Sequence, residues 1–332
     1  MSAIQLPRPK PADALTVLVH HHQSALYLDE LKRRQPEPRY VVLDNYADLP
    51  ATLEREQPDA VVSFRMGFLG AFPREMLLGF PSIRWLHATG AGIEHLPPWD
   101  PARVMVTNSS GLHVSIMAEY AIWAMLDQAQ RMGLYRQQQQ DRIWKLLPVT
   151  PLAGRTVAIV GMGRIGREIG RRLAVFGARV VGVTRTGAPL AEADLVLPEA
   201  RLDEALAEAD ICVILTPLTP RTRGLFGAER LLRLKPGCHL INLARGNIVD
   251  EAALRPLLAE GRIGHATFDV FHTEPLAAED AMWDAPGVTV TPHVSGELAE
   301  WQFHAVMLFA ENLGRWIAGT PLQNLCDPTL GY

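Results

Sequence analysis

The sequence predicts an α/β protein with two doubly wound parallel-sheet domains. Three observations lead to this prediction: short β-rich runs alternate with longer amphipathic stretches, a second alternating series follows the first, and a glycine-rich turn opens that second series. Such alternation is typical of parallel strands joined by helical crossovers. A chain of 332 residues, 48% of them hydrophobic, is long enough to give each domain its own core.

The elements are expected in the following order. The first series consists of the strand-like runs TVLVH, YVVLD, DAVVSF, IRWLHAT and VMVTNSS. Apolar side chains then return at helical spacing from Val114 to Gln140, which indicates a connecting helix. The second series consists of RTVAIVG, ARVVGV, DICVIL, CHLINLA, HATFDV and VTVTP, and a last helical pattern covers Glu297 to Ala318. In sheets of this kind, ligands bind at the carboxyl ends of the strands.

Composition excludes several classes of protein. A net charge of -4 provides no general field for nucleic acid or an anionic membrane, and no run is long and apolar enough for a membrane span. Prolines interrupt the start of the chain, which argues against a secretory signal. The three cysteines, Cys212, Cys238 and Cys326, are odd in number and widely spaced, so we expect reduced thiols in a cytoplasmic protein.

A glycine motif, Gly161-Met-Gly163-Arg164-Ile165-Gly166, lies between a predicted buried strand and an amphipathic helix. The first glycine permits a tight turn, the second lets a pyrophosphate approach the backbone, and the third lets helix and strand pack closely. The phosphates then face the unpaired N–H groups at the start of the helix. The motif therefore predicts a Rossmann-like dinucleotide site.

The strand that follows the motif ends in Thr184-Arg185-Thr186, where many such proteins carry an acidic residue that accepts hydrogen bonds from the adenosine ribose. Arg185 can pair with a 2'-phosphate and stack on adenine, while the threonines offer hydroxyl groups. We therefore expect NADP(H) to be preferred. Use of NAD(H) stays possible, because an arginine can also stack on adenine without selecting the phosphate.

Four polar residues each follow a predicted strand of the second series: Arg245, Asp269, Glu274 and His293. Taken singly, each has an ordinary explanation, such as a surface ion pair, a loop residue or a structural histidine. The other histidines, including the run from His20 to His22, compete as acid candidates or metal ligands. Neighbouring residues of a strand point to opposite faces, so a shared metal is not expected there.

Together these motifs resemble the D-isomer-specific 2-hydroxyacid dehydrogenase family. The resemblance runs through HATGAGIEHL, TNSSGLHVSIMAEY, LAGRTVAIVGMGRIGREI, LTPLTPRTRGLF, LKPGCHLINLARGNIVDEAAL, DVFHTEPL and TPHVSG, and so covers nearly the whole chain. It implies a dinucleotide-binding domain at residues 108–292, inserted into a substrate domain formed by residues 1–107 and 293–332. It also implies a homodimer, with the interface on the helical stretch up to about Leu147, to which Trp123, Tyr135 and Trp144 are candidate contributors.

The resemblance assigns His293 as the acid/base, Glu274 as its partner and Arg245 as the substrate anchor. Reduction of a 2-keto acid needs a hydride at C2 and a proton at the developing alkoxide, and a histidine titrating near neutrality suits the second task. A carboxylate on the far ring nitrogen would fix the tautomer and favour imidazolium. The arginine fork would orient the substrate's carboxylate and carbonyl oxygens.

Further site residues also rest on the resemblance. The loop Gly90-Ala91-Gly92 is expected to receive the substrate carboxylate on its backbone amides, with Arg65 as a further candidate. Asp269 is expected to hold the nicotinamide carboxamide, and Pro217 and Ala244 to line the cofactor. Hydride transfer needs no metal, so none is expected.

Glyoxylate and hydroxypyruvate are the first-choice substrates, and bulkier 2-keto acids stay open. A phosphite dehydrogenase is one alternative because such enzymes keep the glutamate, whereas Glu274 argues against a formate dehydrogenase, which has glutamine there. The alternative of a different class is a corepressor-like regulatory protein that binds dinucleotide and partner peptides. Turnover with a keto acid would distinguish the enzyme from the binding protein.

Overall fold

A computed structural model describes residues 9–21, 25–64 and 71–330 of the chain. It divides into two compact units, Met1–Leu112 with Ala299–Tyr332, and His113–Leu298. Each unit is built on one sheet of parallel strands flanked by helices, which confirms the predicted α/β class with two parallel-sheet domains. The predicted range 293–332 assigned His293 to the first unit, whereas the structure places it in the second.

The first unit has a five-stranded sheet in the order β2-β1-β3-β4-β5. Its strands are β1 (Thr16–His20), β2 (Arg39–Leu43), β3 (Ala60–Ser63), β4 (Trp85–Ala88) and β5 (Met105–Asn108). Its helices are α1 (Ala25–Arg34), α2 (Leu49–Glu56), α3 (Arg74–Gly79) and α10 (Trp301–Ile317). Strands β1, β3, β4 and β5 are buried along their whole length, and the Trp85 ring stacks on Phe309 of α10 at 4.7 Å between centroids. The last helix is thereby fixed to this sheet although it comes from the other end of the chain.

The second unit has a seven-stranded sheet in the order β12-β11-β10-β9-β6-β7-β8. Its strands are β6 (Thr156–Val160), β7 (Arg179–Thr184), β8 (Leu195–Pro198), β9 (Ile211–Ile214), β10 (Cys238–Asn242), β11 (Ile263–Phe268) and β12 (Val288–Val290). Its helices are α4 (Val114–Ala129), α5 (Met132–Asp141), α6 (Arg164–Val175), α7 (Leu202–Glu208), α8 (Ala228–Arg233) and α9 (Glu251–Ala259). The strand order reverses at β6, and this reversal is where ligands of such sheets bind.

The long helix predicted from Val114 to Gln140 is in fact two helices, α4 and α5. Arg131 lies between them with φ of 55°, in the left-handed region, which ends the first helix. The buried side chains stop at Ala129, and α5 contributes none. Packing against the sheet therefore supports helix α4 alone. The polar segment after Ala129 has no such packing, and the chain changes direction there. The final helix begins at Trp301, four residues later than predicted, after Glu300 with φ of 58°.

Two predictions from composition can be compared with the structure. All three cysteines are buried and free, as expected. Among the helices of residues 9–21, 25–64 and 71–330, none is long and apolar enough to cross a membrane.

Candidate active site

The glycine motif forms the turn between β6 and α6. Gly161 has φ of 102°, and a Cβ at this position would lie 2.8 Å from the backbone of Leu215 and Thr216, so only glycine fits. Gly166 packs equally closely, since a Cβ there would lie 2.9 Å from the Gly161 carbonyl oxygen. The N–H groups of Gly161 and Met162 both donate to the Val183 carbonyl at 3.1 Å. This contact fixes the turn beside the end of β7.

The same turn leaves room for a phosphate. Gly163 is the N-cap of the twelve-residue helix α6, no side chain caps it, and a Cβ at Gly163 would meet no protein atom within 4 Å. Arg164 and Ile165 begin the helix, where backbone N–H groups point outward without intrahelical acceptors. Beside the turn, the hydroxyl oxygen of Thr216 is buried without a hydrogen-bond partner in the described structure. An uncapped helix start, open space over the second glycine and an unsatisfied hydroxyl all fit a bound dinucleotide.

The end of β7 carries the residues predicted to select the cofactor. Arg185 and Thr186 are exposed and Thr184 is half-buried. The Thr184 hydroxyl oxygen accepts a hydrogen bond from the N–H of Gly187 at 2.9 Å, and that glycine has φ of 71°. Thr184 therefore shapes the turn that presents Arg185, a role that the sequence did not predict.

The polar residues that follow β10 are held by a buried amide. Asn242 is fully buried; its side-chain oxygen accepts from the Ala244 N–H at 3.1 Å, and its side-chain nitrogen donates to the Arg245 carbonyl at 3.1 Å. The Arg245 guanidinium donates to the Ala244 carbonyl at 2.7 Å through Nη1. These contacts fix the loop and orient the half-buried arginine. Pro217, by contrast, is exposed after β9, where its carbonyl accepts the Thr222 hydroxyl at 2.6 Å.

A glycine brings the Arg245 loop against the loop that carries Glu274. A Cβ on Gly246 would lie 1.9 Å from the carbonyl carbon of Phe271, so the two backbones touch. Oε1 of Glu274 accepts a hydrogen bond from the Phe271 N–H at 3.0 Å. The arginine and the carboxylate are therefore mounted on two loops in direct backbone contact.

Glu274 and His293 form the hydrogen-bonded pair that the resemblance implied. The distance from His293 Nδ1 to Glu274 Oε2 is 2.8 Å, and both side chains are partly exposed, at 47% and 37%. Because a carboxylate only accepts, Nδ1 carries the proton of this bond. The other ring nitrogen, Nε2, is the one left to exchange a proton with a ligand.

The backbone of His293 is held by Asp269. His293 has φ of 56°, an uncommon conformation for a residue other than glycine, and its N–H donates to the Asp269 carbonyl at 2.8 Å. The fully buried Asp269 carboxylate accepts from the Thr291 hydroxyl at 2.6 Å and from the N–H groups of Val294 and Ser295 at 2.8 Å. Its evident task is to hold the His293 loop. Contact with a nicotinamide carboxamide stays a prediction.

The remaining predicted residues belong to the first unit. Gly90 and Ala91 are exposed after β4, and their carbonyls accept from the N–H of Ser109 at 3.2 Å and from the side chain of Asn108 at 2.7 Å. These bonds hold the loop by its carbonyl groups; its role in substrate binding stays a prediction, as does that of Gly92, which is half-buried. Arg65 lies outside the described residues.

Sequence reasoning missed the residues that hold the site together. Asn242, Thr291 and Gly246 lie within the quoted motifs, but no role was assigned to them: Asn242 holds the Arg245 loop, Thr291 bonds to Asp269, and Gly246 lets the Arg245 loop touch the Phe271 backbone. A polar residue at the end of an apolar strand, such as Asn242 in CHLIN, was the available signal. Within residues 9–21, 25–64 and 71–330, no three His, Cys, Asp or Glu side chains group as metal ligands would.

Comparison with known proteins places this arrangement in a family. The family model described as D-isomer specific 2-hydroxyacid dehydrogenase, NAD binding domain, matches residues 122–295, more than half of the chain. The D-3-phosphoglycerate dehydrogenase of Mycobacterium tuberculosis is 34% identical over 250 residues, which are 74% of this chain and 47% of that protein. The chain thus spans about half the length of these relatives.

Other relatives match over nearly their whole length. The glyoxylate reductase of Thermococcus onnurineus is 31% identical over 326 residues, covering 93% of this chain and 91% of that protein. The structure of the NADPH-dependent glyoxylate/hydroxypyruvate reductase of Sinorhizobium meliloti, in complex with NADP and sulfate, superposes with a TM-score of 0.82 at 28% identity, covering 96% of this chain and all of that one. The chain therefore belongs to the D-isomer specific 2-hydroxyacid dehydrogenase family.

Proposed function

We propose that the protein reduces a small 2-keto acid to the D-2-hydroxy acid at the expense of NAD(P)H, with glyoxylate or hydroxypyruvate as the first-choice substrate. The relatives that cover most of the chain are named glyoxylate reductase and glyoxylate/hydroxypyruvate reductase. The phosphoglycerate dehydrogenases are somewhat more identical, but this chain matches only 47% of their length. The first group is therefore the better guide to the substrate.

The observation that carries the proposal is the Glu274–His293 pair, at the same sheet edge as the glycine turn. In this unit β10 and β11 are neighbours, and β11 pairs with β12, so the residues after these three strands meet at one edge. Arg245 follows β10, Glu274 follows β11 and His293 follows β12. A cation, a hydrogen-bonded imidazole and a phosphate-binding turn together fit an anionic substrate that gains a proton and a hydride.

The proposed reaction needs two transfers to the carbonyl group. The hydride for C2 comes from the bound reduced dinucleotide. His293 donates the proton from Nε2 to the carbonyl oxygen, which becomes the hydroxyl group, and Glu274 stabilises the imidazolium before that transfer. Arg245, oriented through Ala244, binds the substrate's carboxylate and aligns C2. Proton and hydride together convert the keto acid to the hydroxy acid without any other reactant.

NADP(H) is the preferred cofactor in this proposal. Arg185 stands where an acid would repel the 2'-phosphate, and the Thr184 turn holds its backbone in an exposed position. A charge-assisted hydrogen bond contributes about 1.5–3 kcal/mol, which corresponds to a preference of roughly 10-fold to 100-fold over NAD(H). Because cells keep NADP(H) mostly reduced, the reaction runs in the direction of keto-acid reduction.

The protein acts as a homodimer in the cytoplasm in this proposal. The segment from α5 onward exposes large apolar side chains, among them Trp144 at 98%, Leu146 at 86%, Leu134 at 53% and Ile143 at 52%. A monomer rarely leaves such a patch in water, whereas a second copy of the chain would cover it. Three buried free thiols suit a reducing compartment.

The test is a panel of 2-keto acids assayed with NADPH and with NADH. Turnover of glyoxylate or hydroxypyruvate, lost in the His293→Ala protein but kept in a His272→Ala control, is the expected result. His272 is exposed and lies two residues before Glu274, so the control changes a neighbouring histidine. Tight dinucleotide binding without turnover of any keto acid would contradict the proposal and favour a regulatory binding protein, and oxidation of phosphite would identify the other alternative.

A further inference from the structure

We propose that Tyr120 of α4 is a positioning residue for His293, acting through Thr291 and Asp269 without touching the substrate. The inference rests on the proposed function, because it concerns the same proton donor. It also makes a structural claim that can be tested without turnover.

A chain of hydrogen bonds connects the tyrosine to the aspartate. Tyr120 Oη lies 2.5 Å from Thr291 Oγ1, although 171 positions separate the two residues in sequence. Thr291 Oγ1 in turn donates its hydrogen to Asp269 Oδ1 at 2.6 Å. A hydroxyl group has one hydrogen to give, so Tyr120 must be the donor in the first bond. The direction of the chain is therefore from phenol to hydroxyl to carboxylate.

Asp269 in turn forms hydrogen bonds with residues on both sides of His293. Thr291 lies two residues before the histidine, and the N–H groups of Val294 and Ser295, just after it, donate to the two oxygens of Asp269. His293 keeps φ of 56°, a conformation that persists only when the surroundings impose it. Asp269 supports this conformation, because its carboxylate accepts three hydrogen bonds from the loop and its main-chain carbonyl accepts the N–H of His293.

Tyr120 is itself held in place. Its ring meets the Trp123 ring edge-on at 5.0 Å between centroids, and α4 packs on the sheet through buried residues. Burial raises the pKa of the Tyr120 phenol to about 12, so it stays a hydrogen-bond donor at neutral pH. A rigid donor on a packed helix can therefore fix a loop whose own backbone is strained.

The experiment compares three single substitutions. Tyr120→Phe removes only the hydroxyl group, and Thr291→Val keeps the shape of the side chain but breaks the chain at its second member. Tyr40→Phe is the matched control, because the Tyr40 hydroxyl is also buried and donates to a backbone carbonyl, that of Gln35 at 2.8 Å, in the first unit. Thermal unfolding shows which variants fold, and Thr291→Val carries the test if Tyr120→Phe does not fold.

Two readouts separate positioning from packing. In protein with isotope-labelled histidine, the proton signal of the His293 Nδ1–H, identified by its loss in His293→Gln, is expected to shift or broaden in Tyr120→Phe and in Thr291→Val but not in Tyr40→Phe. In the keto-acid assay, kcat is expected to fall about 10-fold in the first two variants while KM changes less than about two-fold. The double variant is expected to lose no more than either single one, because both act through one chain.

The outcomes distinguish the two proposals. An unchanged His293 signal together with kcat within about two-fold of the parent protein would overturn the role of Tyr120. If the losses of kcat in Tyr120→Phe and Thr291→Val multiply in the double variant, the role of Tyr120 is also overturned. If the parent protein turns over no keto acid, the proposed function fails, and the imidazole signal alone then decides whether Tyr120 positions His293.

Discussion

His293 and Glu274 are joined by a hydrogen bond of 2.8 Å between Nδ1 and Oε2, and the other carboxylate oxygen is held by the Phe271 N–H at 3.0 Å. The carboxylate is thus fixed on both sides. Rotation of the imidazole about its Cβ–Cγ bond would break this hydrogen bond, so Nε2 keeps one direction. A proton donor with a fixed direction is what a reduction at a carbonyl group requires.

The first prediction concerns the charge of this pair. Glu274→Gln keeps the size of the side chain but removes the negative charge that stabilises imidazolium and leaves one acceptor oxygen where the carboxylate uses two. We expect kcat for the keto acid to fall by about 100-fold, the contribution typical of a general acid, with dinucleotide affinity unchanged. Steady-state kinetics and fluorescence titration with NADPH measure the two quantities. Glu279→Gln is the control, because Glu279 lies five residues further on and is exposed. An E274Q protein with near-normal kcat would contradict the role of Glu274 as the partner of His293.

The second prediction separates the two uses of glycine in the dinucleotide turn. A methyl group at Gly163 meets no protein atom, so Gly163→Ala should fold with the parent Tm yet bind NADPH at least about 10-fold more weakly, because the methyl occupies the phosphate's space. A methyl group at Gly166 would meet the Gly161 carbonyl at 2.9 Å and Ile159 at 3.0 Å, so Gly166→Ala should lower Tm. Calorimetry and titration of both variants decide the matter; equal NADPH affinity in G163A and the parent would rule out phosphate binding there.

Much of this arrangement follows from local sequence. The glycine turn, the strand ends and the polar residues after them depend on short-range patterns, and parallel strands carry their carboxyl ends to one edge. Arg245, Glu274 and His293 could therefore be assigned to one edge from spacing and resemblance. The position of Asp269 was also predictable, although its structural task was not.

The rest depends on contacts between distant parts of the chain. Nothing in TVTPHVSG indicates that His293 has a positive φ, because that conformation is imposed by bonds to Asp269. The contact of Tyr120 with Thr291 joins a helix to a loop across the domain. The break at Arg131 likewise reflects where packing against the sheet stops. A periodic pattern indicates which face of a helix is apolar, but it does not show where the partner surface ends.

The third prediction tests the cofactor preference. Arg185→Asp replaces the cation with the acid that usually binds the adenosine ribose and repels a 2'-phosphate. We expect the ratio of kcat/KM with NADPH to that with NADH to fall by about 100-fold or more. Arg179→Ala is the control, since Arg179 begins the same strand at its other end and pairs with Glu208 at 2.6 Å. Should R185D keep the parent ratio, Arg185 tolerates the phosphate without selecting it.

The fourth prediction concerns the homodimer. Replacing Trp144 and Leu146 together by serine should shift the mass in sedimentation equilibrium from dimer to monomer, because the most exposed apolar side chains of the segment would be gone. Leu232→Ser is the control; this leucine is 53% exposed on α8, outside the proposed interface. A parent protein that sediments as a monomer would refute the homodimer directly.

The fifth prediction is a loss of stability in mild acid, to which two buried histidines of the first unit contribute. Burial lowers the pKa of His20 to about 4 and of His87 to about 3, from an ordinary value of 6.5. Each imidazole is hydrogen-bonded in the folded state, His20 to Ser63 at 2.9 Å and His87 to Thr107 at 2.8 Å. Both rings therefore stay neutral in the folded chain at a pH at which the unfolded chain binds a proton on each.

The sign of the effect follows from proton linkage. Well above pH 6.5 neither state binds a proton on these rings, and the full stability is present. As the pH falls from 6.5 towards the folded-state pKa values, the unfolded state alone gains protons, so the free energy of unfolding decreases by up to about 1.4 kcal/mol per pH unit for each histidine. Urea unfolding at about pH 7 and about pH 5 measures the slope. His87→Gln should have a smaller slope than the parent, whereas His304→Gln, at an exposed position of the same unit, should not. Equal slopes in all three proteins would show that His87 binds its proton equally well in the folded and unfolded states.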